Sequence, residues 1–402
     1  MNLLVISHTP HYLTAGAVAG WGPTVREIDH LARLFDHVVH VAPLHDSDPP
    51  ASSLSYRSNK VSLRPVAPSG GDSVAAKLGV VANMPGYLRT MLDEMSRADV
   101  VQVRCPANIS LLAIALLAVL RRPRYRWAKY AGSWSHGEAR PWSYGLQRWW
   151  LQHGLHRGVV TVNGKWPGQP RHVYSFLNPS FTDEELSDRG SSKDLVPPYR
   201  LLFVGYLDER KGAGRALQVA AILKQRGKTF HMEFIGEGPL RARLEAEVEV
   251  EKLRSNVSFL GWLPKHELPQ RYARAHFFVS PSASEGWPKV ISEAMAFGAV
   301  PVAGAVSCIP QILTDTGAGT ALPPLDVGAF ADCIMDYIAD ETKWRAASQA
   351  GMEAAGLFTY DSHLQNVRKM MREAWSIELP SLRSHEPRTG NQTKDHGVGT
   401  TD

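Results

Sequence analysis

FFVSPSASEGWPKVISEAMAFGAVPV, residues 277–302, runs from an apolar strand through a Gly-Pro loop into an apolar helix. It sets Glu285 in the loop and Glu293, eight positions on, inside the helix. Pro288 suits the first turn of that helix, because its missing N–H would be unpaired there anyway. A glycine loop leaving the carboxyl end of a parallel strand and entering a helix presents unpaired backbone N–H groups, and the helix dipole favours an anion beside them. The seat fits a phosphate. Glu285 falls at its rim, while Glu293, about one and a half turns into the helix, reaches a different part of the same ligand. Carboxylates accept hydrogen bonds from hydroxyls, and vicinal diols of a sugar or ribose offer paired donors. One ligand containing sugar, diphosphate and ribose uses all three features. Spacing alone carries little, since surface glutamates are common on helices; the apolar setting ISEAMAFG distinguishes Glu293.

Working outward, short β-branched runs alternate with helical patterns in both halves of the chain. RLLFVGYL (200–207), FHMEFIGEG (230–238), VSFLGWL (257–263), AHFFVSPS (275–282) and AVPVAG (299–304) read as strands, with helices expected over 214–226 and near 239–253. In the first half NLLVIS (2–7), HVVHVAP (37–43) and ADVVQVRC (98–105) read likewise, and YRWAKYAG and GVVTVNG offer two more. Between the first two, Val25, Ile28, Leu31 and Phe35 recur at helical spacing after Gly22-Pro23. Alternation of this kind predicts an α/β fold with parallel sheets covered by helices on both faces, here as two Rossmann-like domains. The expected boundaries are 1–178 for the first domain, a Ser/Asp/Pro-rich linker over 179–199, and 200–359 for the second. Leu364, Val367, Met371 and Trp375 predict a last helix over 360–376 that can pack back on the first domain, followed by a disordered tail over 379–402.

Two further loops support a shared cleft. FVGYLDERKG puts Gly205 and Tyr206 at a strand end and Lys211-Gly212 before a helix, where a lysine reaches a phosphate. FIGEGPL places Gly236 and Gly238 after another strand, which allows close backbone approach or simply a turn.

Composition narrows the class. The chain has 402 residues, 44% hydrophobic and 21% charged, without low-complexity segments, as expected of an ordinary soluble enzyme. Cys105, Cys308 and Cys333 are far apart and in no metal-ligand spacing, which favours a reducing compartment, small buried thiols and no metal site. The start MNLLVISHTPHY reads as a first strand rather than a signal peptide, and ISLLAIALLAVL (109–120) is too short to span a bilayer, so a cytoplasmic location is expected. His8 and His11 follow the first strand and can either face the cleft or serve as ordinary loop histidines.

Charge is informative locally. The net charge is +5, yet residues 100–137 contain no acidic residue and six basic ones, Arg104, Arg121, Arg122, Arg124, Arg126 and Lys129. Six of the eleven tryptophans, Trp134 among them, fall between 127 and 166. Basic residues mixed with amphipathic aromatics suit an anionic membrane surface, a phosphate-bearing acceptor or a sugar-stacking platform, with a solvated rim over core tryptophans as the alternative; region 121–150 is the candidate for peripheral membrane contact. Nucleic acid is not expected, because the excess is confined to one patch without a binding signature.

The second half resembles the donor-binding domain of the retaining GT-B glycosyltransferases of glycosyltransferase family 4. FVGYLDERKG, FIGEGPL, the stretch from VSFLGWL through AVPVAG, and GTALPPLD carry the resemblance in order over positions 200–330. It implies a GT-B fold, with a nucleotide-diphosphate sugar as donor and a carbohydrate or lipid-linked carbohydrate as acceptor. By this resemblance Glu285 and Lys211 are the catalytic pair, Glu285 holding sugar hydroxyls and Lys211 neutralising the diphosphate, while Glu293 holds the ribose. Backbone at Gly286, Trp287, Lys289 and Val290 would hold the diphosphate, with Gly205, Tyr206, Gly236 and Gly238 bordering the nucleotide pocket. On the acceptor side the candidates are His8, Gly16 and Trp134. Departures are Tyr206, where the family often has Arg, Gly16-Ala17 in place of a Gly-Gly turn, and His136, displaced from the strand end where the family has its histidine. The reaction implied is sugar transfer with retained anomeric configuration and no cofactor or obligatory metal. A nucleotide-sugar-binding partner without turnover is the alternative, motivated by Tyr206 and the missing histidine. A nicotinamide dehydrogenase is disfavoured, since NLLVISHTPHY lacks GxGxxG.

Overall fold

The alternating pattern is realised as two sheets, each with helices on both faces. The computed structural model describes residues 1–14, 17–68, 74–134, 141–187 and 193–382; Gly16, His136 and the expected tail from 383 onward lie outside them. The first domain contains β1 (Asn2–Ile6), β2 (His11–Thr14), β3 (Ala17–Trp21), α1 (Gly22–Leu31), β4 (His37–His45), β5 (Ser53–Ser55) and β6 (Val61–Val66). It continues with α2 (Val74–Arg97), β7 (Val100–Cys105), α3 (Asn108–Val119), β8 (Tyr125–Tyr130), α4 (Trp142–Gln152), β9 (Val159–Asn163) and β10 (Val173–Phe176). Strands run in the order β10-β9-β8-β7-β1-β4-β2-β3-β5, with β6 also paired to β4. From β10 to β4 every pairing is parallel. β1 is central, and Leu3, Leu4, Val5 and Ile6 are each at most 1% exposed. Leu4 and Ile6 face one core with α3, while Leu3 and Val5 face another with α1. Burial on both faces explains why the strand reads as an unbroken apolar run.

The second domain contains α5 (Asp183–Ser187), β11 (Tyr199–Val204), α6 (Ala213–Gln225), β12 (Phe230–Ile235), α7 (Arg241–Val250), β13 (Val257–Gly261), α8 (Leu268–Arg274), β14 (Phe277–Ser280) and α9 (Lys289–Ala296). β15 (Val300–Gly304), α10 (Ile309–Thr316), β16 (Thr320–Leu322), α11 (Val327–Ala339) and α12 (Glu341–Ala354) complete it. Its sheet is wholly parallel, in the order β13-β12-β11-β14-β15-β16. The order reverses between β11 and β14, the position where ligands bind open α/β sheets.

The last helix, α13 (Tyr360–Trp375), returns to the first domain. Thr359 caps it by accepting the Ser362 N–H, and Leu364, Val367, Met370 and Met371 join Leu3, Val5, Ile28 and Leu31 in one core. Two strands of chain therefore cross between the lobes, and they run side by side. Ser180 N–H donates to the Phe358 carbonyl at 2.8 Å and Tyr360 N–H to the Phe181 carbonyl at 3.0 Å. Composition places Leu379 in the tail; it is instead 5% exposed against the α13 core. All three cysteines are free and buried.

Candidate functional site

The site is assembled from loops at the carboxyl ends of β11, β12 and β14, facing the carboxyl ends of β1, β7, β8 and β9 across the cleft. α9 opens on Pro288 with no side-chain cap, which leaves first-turn N–H groups available to an anion. The β11 and β14 loops are held together by backbone contacts. Ala283 N–H donates to the Arg210 carbonyl at 2.9 Å, and Gly212 (φ 78°) approaches Pro281 so closely that a Cβ would sit 2.2 Å from its carbonyl oxygen. Asp208 Oδ1 accepts the Lys211 N–H at 2.7 Å. The outcome is that Lys211 Nζ meets Glu285 Oε1 at 2.7 Å, and the Ser282 hydroxyl donates to the same oxygen at 3.0 Å. Lys211 and Glu285, 74 positions apart in the chain, thus form one polar unit beside the α9 amino end.

Glu293 belongs to a different group. Its Oε2 accepts the Tyr272 hydroxyl at 3.1 Å, and burial raises its pKa against the opposing pull of Tyr272, Lys289 and Arg26. Arg26 comes from α1, so Glu293 looks across the cleft to the first domain. The two glutamates hence belong to separate polar groups rather than converging on one partner.

Several glycines and one tryptophan have explanations within the protein. Gly236 has φ 133°, and a Cβ there would lie 2.0 Å from the Gly205 carbonyl; at Gly238 it would lie 2.5 Å from the Leu207 carbonyl. Close packing of the β11 and β12 loops requires both. At Gly205 nothing stands nearer than 3.7 Å, so sterics do not require glycine there. Gly286 abuts the first domain, where a Cβ would come within 2.0 Å of the Ala131 carbonyl; this glycine permits the lobes to meet. The Trp287 ring is 5% exposed and stacks on Phe358 at 5.3 Å, directing it to the crossing rather than the cleft. Val290 packs on the same core. Tyr206 is 57% exposed, and Arg210 turns to Asp208 at 3.4 Å.

On the first domain, Trp134 is a correction to the sequence reading: it is 4% exposed and packs edge-on against Tyr130, which places it in the core rather than on a sugar-stacking surface. His8 is exposed after β1, with its pKa lowered by desolvation and by Arg104. Its loop is anchored by a directed hydrogen-bond chain. His11 Nδ1 must donate to the Thr9 carbonyl, so neutral Nε2 accepts from Tyr56 at 2.9 Å. Tyr56 then accepts from His40 Nδ1 at 2.6 Å, and His40 Nε2 accepts from Ser7 at 2.7 Å. Burial keeps both imidazoles neutral, pushing His11 down to about 4 and His40 well below its ordinary value.

The basic window divides into two populations. Arg126 donates to the carbonyls of Leu117, Leu120 and Pro123, capping the end of α3. Glu27, 2% exposed on α1, accepts from Lys129 at 2.6 Å and from Arg104 at 3.1 and 3.2 Å. Desolvation works against the Glu27 carboxylate, yet the Arg104 and Lys129 charges hold its pKa well below the ordinary range. Lys129 is pushed down to about 8 by burial. Glu27 was missed from sequence although Thr24, Glu27, Ile28 and Leu31 share one helical stripe, and a carboxylate inside such a stripe is the available signal. Arg121, Arg122 and Arg124 remain exposed. Trp142 and Trp149, seven positions apart on α4, are 78% and 49% exposed.

Residues 187–354 match the family model for glycosyl transferases group 1. The match takes in the second domain and less than half of the chain. It covers β11 to β16 and both members of the Lys211–Glu285 pair. Among curated relatives, the amylovoran biosynthesis glycosyltransferase AmsK of Erwinia amylovora is 33% identical over 147 residues, 35% of this chain and 36% of that protein. The chain spans about a third of the length of the first curated relatives it matches. Solved structures extend the likeness to both lobes. Sucrose-phosphate synthase from Thermosynechococcus elongatus superposes with a TM-score of 0.69 at 18% identity, covering 92% of this chain and 98% of that one. Anabaena HepE in complex with UDP gives 0.68 at 14%, covering 93% and 100%. Two Rossmann-like domains facing a cleft, the second matching the group 1 family model, constitute the GT-B fold. Among the described residues no helix is long and apolar enough to cross a membrane, and no group of three or more His, Cys, Asp or Glu is placed to hold a metal ion.

Proposed function

We propose that this chain is a retaining glycosyltransferase that moves a sugar from a nucleotide-diphosphate sugar to an acceptor hydroxyl in polysaccharide or glycolipid assembly. The observation that carries the reading is the Lys211–Glu285 pair at 2.7 Å beside the uncapped amino end of α9. As the bond between the anomeric carbon and the phosphate oxygen breaks, negative charge collects on the leaving diphosphate and the sugar becomes oxocarbenium-like. First-turn amides of α9 and the Lys211 ammonium stabilise that charge where it develops, the term that commonly contributes most. Glu285 accepts hydrogen bonds from sugar hydroxyls, and Glu293 from the ribose. The acceptor oxygen forms the new bond on the face the diphosphate leaves, and its proton passes to a leaving phosphate oxygen. Protein cations and dipoles supply the stabilisation, so the reaction requires no metal. AmsK is an amylovoran biosynthesis glycosyltransferase and HepE was solved with UDP, which supports an exopolysaccharide product and a uridine donor as the first to test. The exposed Trp142 and Trp149 with Arg121, Arg122 and Arg124 support contact of the first domain with an anionic membrane.

A thermal-shift screen of UDP-, GDP- and ADP-sugars, followed by nucleoside diphosphate release with and without EDTA, tests the reading. One donor should raise the melting temperature, and release in EDTA should persist with the α anomer of an α-linked donor retained in the product. Stabilisation without release would leave a binding protein; no stabilisation by any donor would remove the donor site itself.

A further inference from the structure

Beneath the cleft, between α1, β8, β9, α9 and α13, lies a second polar cluster that the Lys211–Glu285 pair does not use. Three cations, Arg104, Lys129 and Lys289, stand around one carboxylate, Glu27. Arg104 and Lys129 both bond it, whereas Lys289 has no carboxylate within 4.0 Å among the described residues and lies 5.8 Å from the centre of the Tyr360 ring. The charges acting on Lys289 are Glu27, Lys129, Glu293 and Arg26; Arg26 is already held by both oxygens of Glu185. Glu293 is already engaged, since its Oε2 accepts the Tyr272 hydroxyl.

Three buried side chains add unpartnered polar atoms around the same cluster. His363, 2% exposed, has neither ring nitrogen hydrogen-bonded, and its Nε2 is 4.0 Å from Glu27 Oε1. The Tyr360 hydroxyl and Asn163 Nδ2, on residues 1% and 4% exposed, are likewise without partners. Asn163 ends β9 on the face that carries Thr161 and, through the Trp127–Thr161 bond, Trp127 and Lys129; it also adjoins Gly286. Buried polar groups are ordinarily hydrogen-bonded, and surplus buried charge is ordinarily paired. Here the free groups include three donors: the Lys289 ammonium, the Asn163 amide and the Tyr360 phenol. Such a set matches a ligand group that only accepts hydrogen bonds.

We propose that this cluster is an oxyanion subsite on the acceptor side of the cleft, taking a phosphate or carboxylate carried by the acceptor. The proposal rests on the glycosyltransferase reading for the word acceptor, but the subsite itself does not. Most of its charges come from the first domain, Glu27 on α1, Arg104 on β7 and Lys129 on β8, whereas the Lys211–Glu285 pair lies wholly in the second. Exposed His8, adjacent in charge to Arg104, stands on the same side.

Isothermal titration of the full chain with sodium phosphate and with sodium glucuronate separates the two sources of the oxyanion, and the tighter probe identifies the acceptor group. Lys289→Met should weaken that probe at least tenfold, Lys289→Arg should restore most of the affinity, and Lys211→Ala should change it less than twofold. Melting temperatures of each variant check folding. The subsite is refuted if neither probe binds the wild type, if Lys289→Met binds equally well, or if Lys211→Ala weakens the probe as much as Lys289→Met does. Failure of the donor reading is seen separately: no nucleotide sugar would bind, while the phosphate or glucuronate result would stand.

Discussion

Replacing Glu27 by Gln keeps the side chain's size and removes the one carboxylate between Arg104 and Lys129, leaving two buried cations facing each other. Breaking a buried ion pair by removing one partner costs about 3–5 kcal/mol. In a domain of this size 1 kcal/mol moves the melting point by about 2–4 °C, so the loss corresponds to roughly 6–20 °C. The pH dependence follows from the shifted groups. Glu27 titrates well below its ordinary 4.5 in the folded chain, so its stabilisation is complete above about 4.5 and is lost as pH falls through the depressed value. Wild type and Glu27→Gln should therefore converge in acid. Lys129 is held at about 8 against an ordinary 10.5; the unfolded chain binds the extra proton in that interval, so stability rises with pH there. Without Glu27 the Lys129 amine loses its proton at still lower pH, and the deficit of the variant should shrink by pH 9. Urea unfolding at pH 5, 7 and 9, with Lys129→Met added in a double-mutant cycle, measures both effects. A deficit below about 1 kcal/mol at pH 7, the size of an ordinary surface pair, or one that Lys129→Met does not reduce, would refute the reasoning.

Other outcomes follow from single contacts. Gly286→Ala puts a Cβ 2.0 Å from the Ala131 carbonyl, so the lobes cannot meet as they do; turnover should fall about tenfold, equivalent to about 1.4 kcal/mol in the barrier, with scattering showing a more open chain. Gly236→Ala strains a φ of 133° and meets the Gly205 carbonyl, and should cost about 1–3 kcal/mol in thermal unfolding. Trp142→Ser with Trp149→Ser should reduce sedimentation with phosphatidylserine vesicles while leaving the melting point within about 2 °C, because both rings are exposed.

The parts of the fold that could be read from sequence are those buried on both sides. β1, β11 and β14 carry the apolar runs LLVI, LLFV and FFV because helices cover both sheet faces, and β7 keeps its valines around Gln102 and Arg104. The short outer strands gave no such signal: β5 is three residues of Ser-Leu-Ser with partial exposure, and β6 carries Pro65 and an exposed Arg64. α2 runs through Pro85 and Gly86, residues that normally argue against a helix. For the site, the second-domain loops were legible because a strand, a glycine turn and a helix start recur in fixed order. The Lys211–Glu285 contact and the Tyr272–Glu293 bond were not, since each joins residues far apart in the chain. In the first domain Arg104 and Lys129 looked like part of a surface patch; only the parallel pairing of β7 with β8 and the stripe of α1 bring them to Glu27.

The paired crossings at Ser180–Phe181 and Phe358–Tyr360 restrict how the lobes can move. Two adjacent tethers act as a door hinge rather than a swivel: they permit rocking about the line joining them and resist twisting. For anyone building chimeras, exchange of the donor lobe needs two junctions, near 180 and near 358, because a single cut would carry α13 away from the hydrophobic surface it covers.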